Sequence, residues 1–295
     1  MFFARIFDVS SLSRFSSLQE FVNQDKIISG EKFLNSSLID GSFNYLKRDF
    51  LYKNGVWRQQ KVKSWMSQSK FYASRPLVIG HSDRSTTKTD ALILRQLGVS
   101  KVFAVNNDPL KQFSESLPLG ITNSCDDSPI HRLLGNESHF LEADSAEFSN
   151  EYFTPSIYLN FTAGNNSSVR NKLLSLVGEL SSLYEVTIQT PDFTDSGRIK
   201  YLENLRSKGL VLCPEGNGVD THRFLETLYM GGVPVVKTNK MMQSFYDNLP
   251  VLQLNSWKDL ADVSFVETMW WALIDRKYDF ELLSKDYWIQ RFTSK

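Results

Sequence analysis

His222, Arg223 and Glu226 have side-chain types and a spacing that suit the handling of a phosphorylated ligand. At i, i+1 and i+4 they share one face of a helix. They follow the segment VLCPEGNGVDT, in which an apolar run at 210–213 stops at Pro214. A loop of Glu215, Gly216, Asn217 and Gly218 comes next, its two glycines free to adopt positive φ. Asp220 is placed as an N-cap, with Val219 and Phe224 as a hydrophobic staple around it, and a helix is expected over about 221–230, opened by Thr221. Gly231 and Gly232 stop that helix, and 233–236 reads as the next buried strand. A helix N-terminus behind a Gly-rich loop presents unpaired N–H groups and partial positive charge, which suits a diphosphate. Cationic His222 and Arg223 beside it, with Glu226 one turn deeper to accept two ribose hydroxyls, describe a nucleotide-sugar pocket. On spacing alone, a strand, Gly loop and helix of this kind occur in any α/β protein.

The segment LCPEGNGVDTHRFLETLYMGGVPVV resembles the C-terminal signature of exostosin-like glycosyltransferases, and NLPVLQLNSW is similar to that family's closing strand and turn. PLVIGHSD, KVFAVNND and SLPLGITN are shorter likenesses in the order that bacterial and viral members show. The turn at Asn165 and Asn166 after YLNF, with Arg170, is another. The resemblance implies an α/β protein of GT-B fold, in which two Rossmann-like domains face a central cleft and the last helix packs back on the first domain. It also implies a nucleotide-sugar donor, a glycan acceptor and inverting single displacement. A UDP-sugar is the favoured donor, and xylose is an option if the chain is akin to the soluble members of large algal viruses. The alternatives are a GDP-fucose-type transferase and a catalytically silent glycan-binding or scaffold protein of the same fold.

The elements that must position these residues read as two βαβ series. In the first, 75–80 is a strand, 89–97 a helix closed by Gly98, and 101–105 a strand, with a short strand and turn at 116–123. Helix-like spacing occurs at 18–22 and 43–50, and 124–150 reads as polar loop. The second series restarts near 156 with a strand at 157–161, a helix at 169–183, a strand at 185–189 and a helix at 199–207. Domains are therefore expected at 1–153 and 154–295, the first on the acceptor side, with 276–295 crossing back.

Ligands of open α/β sheets bind at the carboxyl ends of the strands, which points to 81–85 in one half and 214–223 in the other. Glycosyl transfer needs a base for the acceptor hydroxyl and positive charge for the departing diphosphate. Asp83 is the first choice of base, with helix capping as its structural alternative, and His81 is the runner-up. Arg170 and Arg223 are the phosphate ligands, because a guanidinium grips a diphosphate bidentately. A surface ion pair with Glu226 is the competing role for Arg223. Glu215 either approaches the donor sugar or only bounds the loop.

No Asp-x-Asp follows a strand, and His131 and His139 have no ligand-like companions, so neither metal nor cofactor is expected. The 33 basic and 33 acidic residues balance, which argues against nucleic acid or an anionic membrane as partner. Only Cys125 and Cys213 are present, so no disulfide framework is expected. There is no run of about 18 apolar residues to anchor the chain in a membrane. The start MFFARIFDVSSLSRF lacks the long apolar core of a signal peptide. A cytoplasmic location follows as the expectation.

Overall fold

The computed structural model describes residues 22–294 except 23, 41–42, 48–49, 54–55, 68–70, 73, 81–82, 111, 125–127, 146–155, 275, 277 and 279. Its strands are β1 (Asn44–Lys47), β2 (Tyr52–Lys53), β3 (Val56–Trp57), β4 (Leu77–Gly80), β5 (Val102–Val105), β6 (Ser114–Leu117), β7 (Ser156–Leu159), β8 (Val186–Ile188), β9 (Gly209–Leu212), β10 (Val233–Lys237) and β11 (Leu252–Leu254). One sheet has the order β1-β4-β5-β6 and another the order β11-β10-β9-β7-β8, while β2 and β3 form a small antiparallel ribbon. Every pairing in the two larger sheets is parallel. The molecule is thus α/β, with two parallel sheets interleaved with helices, compatible with a two-domain Rossmann-like arrangement.

Parallel strands covered on both faces must be apolar throughout, and β4, β5, β7 and β9 are buried at every position. Three apolar clusters result. Leu77, Ile79, Val102 and Ala104 pack on one side of the first sheet, and Ile157, Leu159, Leu210 and Leu212 on one side of the second. The third cluster lies between the sheets and is continuous, joining Val78 and Phe103 of the first to Tyr158 and Val211 of the second. The Lys285–Thr293 helix belongs to it: Phe292 meets Phe33, Phe43 and Phe103 at ring-centroid distances of 5.4, 4.9 and 4.9 Å. Trp288 on the same helix lies 5.8 Å from Phe245 of the second half. The last helix therefore straddles both halves.

Three expectations are corrected. The helix-like spacing at 43–50 is instead strand β1, in register with β4 through pairs such as Tyr45 and Val78. Asn44 can be buried there because its amide donates to Tyr72 O at 2.9 Å and accepts from Tyr72 N–H at 3.0 Å. The polar stretch 124–150 contains the helices Pro129–Leu134 and Ser138–Asp144, and the second buries Phe140 and Ala143, one turn apart. The long helix at 169–183 is two, Ser167–Ser175 and Val177–Leu183, meeting at Leu176. The helix-like spacing at 18–22 falls almost wholly outside the described residues. Among those residues no helix is long and apolar enough to cross a membrane.

Candidate functional site

In the second sheet β7 lies between β8 and β9. The chain leaves β7 towards one edge and β9 towards the other, so the loops after these strands diverge and leave a crevice. A cavity of about 270 Å³ occupies it. Asn160, Phe161 and Thr162 line it after β7, Pro191 to Phe193 after β8, and Thr221, His222, Arg223 and Glu226 after β9. Arg170 from the Ser167–Ser175 helix and Arg198 and Tyr201 from the Asp195–Ser207 helix complete the walls used below.

Two guanidiniums dominate this cavity. Arg170, 6% exposed, donates through Nε to Glu215 O at 3.2 Å and through Nη1 to Thr162 O at 2.9 Å. Arg223 donates through Nη2 to Asn160 O, while its buried Nε has no partner. Both lie over the Phe161 ring, at 5.5 and 5.7 Å. Neither forms an ion pair with a carboxylate among the described residues; carbonyls alone receive them. Burial, and then the charge of Arg223, lower the Arg170 pKa to about 10. Two like charges, one buried and one partly buried, held together without a carboxylate partner suit an anion.

The His222–Tyr229 helix adds to it. Thr221 is the N-cap and makes no side-chain capping bond, and Phe224 N–H bonds to Thr221 O. The N–H groups of His222 and Arg223 therefore stay outside the helical ladder, at the positive end of the helix. His222 Nδ1 lies 2.7 Å from Gly120 O. A carbonyl only accepts, so Nδ1 carries a proton and donates it to Gly120 O. Gly120, at φ +82°, turns the chain after β6 so that its carbonyl reaches this ring.

Glu226 is 4% exposed and already engaged: Oε1 accepts from Arg198 Nη2 and Oε2 from the Tyr201 hydroxyl, each at 2.8 Å. Burial acts to raise its pKa, but the charge and hydrogen bond of Arg198, with His222 and Tyr201 adding, outweigh it and hold the group below 4.5. The carboxylate is thus ionised and fixed, and each oxygen keeps lone-pair capacity for a hydroxyl. The pair between Arg223 and Glu226 considered from spacing does not form; Arg198 takes that place.

The loop before the helix faces the other half of the molecule. Asp220 does not cap the helix, which begins two residues later. Its N–H donates to Asn106 Oδ1 at 2.7 Å, and its Oδ2 accepts from Leu119 N–H at 2.6 Å. Gly216 and Gly218 do not adopt positive φ either. Gly218 is required for close approach, since a Cβ there would lie 2.3 Å from Asp83 O and 2.5 Å from Asn106 Nδ2. Asp83 is exposed, and its carboxylate accepts from Asn217 Nδ2 at 3.3 Å. Glu215 Oε1 accepts from Asn239 at 3.5 Å.

Of the residues chosen from sequence, Arg170, Thr221, His222, Arg223 and Glu226 share the cavity lining. Asn217, Gly218, Asp220 and Asp83 gather along the neighbouring contact between the halves, Glu215 and Gly216 lie against Arg170 in the second half, and His81 lies outside the described residues. Sequence reasoning missed Arg198, Tyr201 and Phe193. Arg198 and Tyr201 are one turn apart on one helix face, which was a visible signal, although nothing in that spacing names Glu226 as their partner. No protein-family model matches the chain, and no curated protein matches it either.

Proposed function

We infer that the chain is a glycosyltransferase of GT-B type that binds a nucleotide-sugar donor in the switch-point cavity and transfers its sugar to a glycan hydroxyl. The observation that carries this reading is the pair Arg170, buried, and Arg223, partly buried, without a carboxylate partner beside the amino end of the His222–Tyr229 helix. Together they offer a diphosphate two forks and two free N–H groups. Glu226, ionised and immobilised, supports the ribose role. The likeness of 212–236 to the exostosin signature supplies the substrate class. A cavity of about 270 Å³ is just below the usual range for ligand sites, which supports the smaller pyrimidine bases over guanine, and the exostosin likeness supports UDP among them.

In this reading the acceptor oxygen attacks the anomeric carbon as its bond to the diphosphate breaks. The acceptor proton passes to a base, and the charge that develops on the leaving oxygen meets the two guanidiniums. The guanidiniums supply the charge neutralisation, so transfer proceeds without a metal, and displacement on the opposite face inverts the centre. Asp83, near the carboxyl end of β4 and beside Asn217 of the donor loop, is assigned as the base. Its position outside the cavity lining favours one second reading, a nucleotide-binding protein without transfer.

Thermal denaturation with UDP, GDP and CMP tests the proposal. A rise of about 3 °C or more with one nucleotide is expected, because a ligand that binds only the folded state stabilises it. Flat curves with all three overturn it. Asp83→Asn should keep that rise and lose transfer; full turnover in this variant removes Asp83 from the mechanism.

A further inference from the structure

Three aromatic side chains line the cavity: Phe161, Tyr201 and Phe193. Two are occupied. The Phe161 ring carries Arg170 and Arg223, and Tyr201 carries Arg198 at 5.2 Å while its hydroxyl donates to Glu226. Phe193 is different, 51% exposed at the cavity wall and with no ring or cation contact among the described residues.

Its backbone is nevertheless fixed. Asp192 Oδ1 accepts from Thr194 N–H at 3.1 Å and from Thr194 Oγ1 at 2.9 Å, closing a turn around Phe193. Thr194 Oγ1 in turn caps the Asp195–Ser207 helix by accepting from Gly197 N–H at 3.0 Å. Gly197 lets that turn sit close, since a Cβ there would lie 2.3 Å from Asp192 Cγ. The same helix carries Arg198 and Tyr201, so one rigid unit presents both the ring and the partners of Glu226.

We propose that Phe193 is the platform on which the nucleobase stacks. This rests on the nucleotide-sugar reading above and adds what that reading lacks, a place for the base. A nucleotide divides into diphosphate, ribose and base. The guanidiniums and helix end suit the first, Glu226 the second, and an exposed, pre-positioned ring at the same cavity suits the third. Stacking on an aromatic face is tolerant of base identity. Phe193 therefore contributes affinity for the nucleoside, and cavity size selects among bases.

Titration calorimetry of the full chain with UDP, GDP, CMP and inorganic pyrophosphate tests this. Phe193→Ala should weaken the bound nucleotide about 10- to 100-fold while pyrophosphate changes by less than about twofold. Phe193→Trp should restore nucleotide affinity. The platform is overturned if Phe193→Ala leaves nucleotide affinity intact, or if pyrophosphate weakens equally. A wild-type chain that binds none of the three nucleotides overturns the nucleotide-sugar reading itself, and the platform with it.

Discussion

Arg170 and Arg198 are both buried in the wall of one cavity, 6% and 3% exposed, but their surroundings differ in kind. Arg198 pairs with Glu226 at 2.8 Å, so each charge stabilises the other. Arg170 has only carbonyl partners and a like charge in Arg223, which with burial brings its pKa down to about 10. Removing one member of a buried pair strands the other, at a cost of roughly 3–5 kcal/mol. Arg198→Met should therefore lose about 3 kcal/mol in urea unfolding. Replacing an uncompensated buried cation relieves desolvation and repulsion, which offsets the two hydrogen bonds lost. Arg170→Met should stay within about 1 kcal/mol of wild type and bind pyrophosphate at least about tenfold more weakly. Equal destabilisation by both substitutions would contradict this division of roles. The same contrast explains what was legible at this scale. His222, Arg223 and Glu226 announced themselves by type and by local spacing around one loop and helix, and Arg170 by the likeness of its turn to the exostosin pattern. Arg198 and Tyr201 act through Glu226 at separations of 28 and 25 residues, which helical periodicity does not encode.

Among the elements, the loop from Glu215 to Thr221 connects the cavity to the first half of the molecule. Gly218 sits where backbone and side chain of the other half come closest. A Cβ at 2.3 Å from Asp83 O and 2.5 Å from Asn106 Nδ2 meets groups that cannot swing aside, one being backbone and the other bonded in place. Overpacking of this kind costs about 1–3 kcal/mol. Gly218→Ala should therefore lower stability by about 2 kcal/mol and weaken nucleotide binding as the helix end shifts. Gly216→Ala should be milder, because its nearest neighbour is the end of the Arg170 side chain at 3.2 Å. Unfolding curves with and without nucleotide compare the two, and a Gly218→Ala chain as stable as wild type would refute the close-approach role. The presence of these glycines was visible in the sequence, whereas their reason was not. Positive φ was the default explanation, and a contact with Asp83, 135 positions away, was the actual one. Strands β4, β5, β7 and β9 were readable because full burial leaves a mostly apolar run, and β10 because only Lys237 at its end is partly exposed. Strand β1 was not, since it carries a buried asparagine and an exposed lysine and is defined by its pairing with β4.

For the whole molecule, Asp220 couples the two sheets through one carboxylate. It is 3% exposed, its N–H reaches Asn106, and its Oδ2 is held by Leu119 N–H. Burial raises its pKa to about 7, with the Leu119 bond opposing and Asp83 adding to the rise. Cys213 and Tyr246, whose electrostatics it shares, are also pushed upward by burial and stay neutral at physiological pH. The folded state therefore holds a proton on Asp220 at pH values where the unfolded chain has released it from a group of ordinary pKa 3.8. Stability must then fall as pH rises from about 4 to about 7, and level off above that. Glu226 acts in the opposite sense and in another window: with its folded pKa held below 4.5, its contribution is present at neutral pH and is lost as the solution becomes strongly acidic. Asp220→Asn keeps an acceptor for Leu119 N–H and removes the titration. Relative to wild type, this variant should gain on the order of 2 kcal/mol between pH 5 and pH 8, read by urea unfolding at both values. If the gap between the two proteins is the same at pH 5 and pH 8, Asp220 does not titrate in this range, and the contact between the halves is insensitive to its charge. A gap that widens with pH means that ionising one buried carboxyl loosens the joint on which the loop from Glu215 to Thr221 rests.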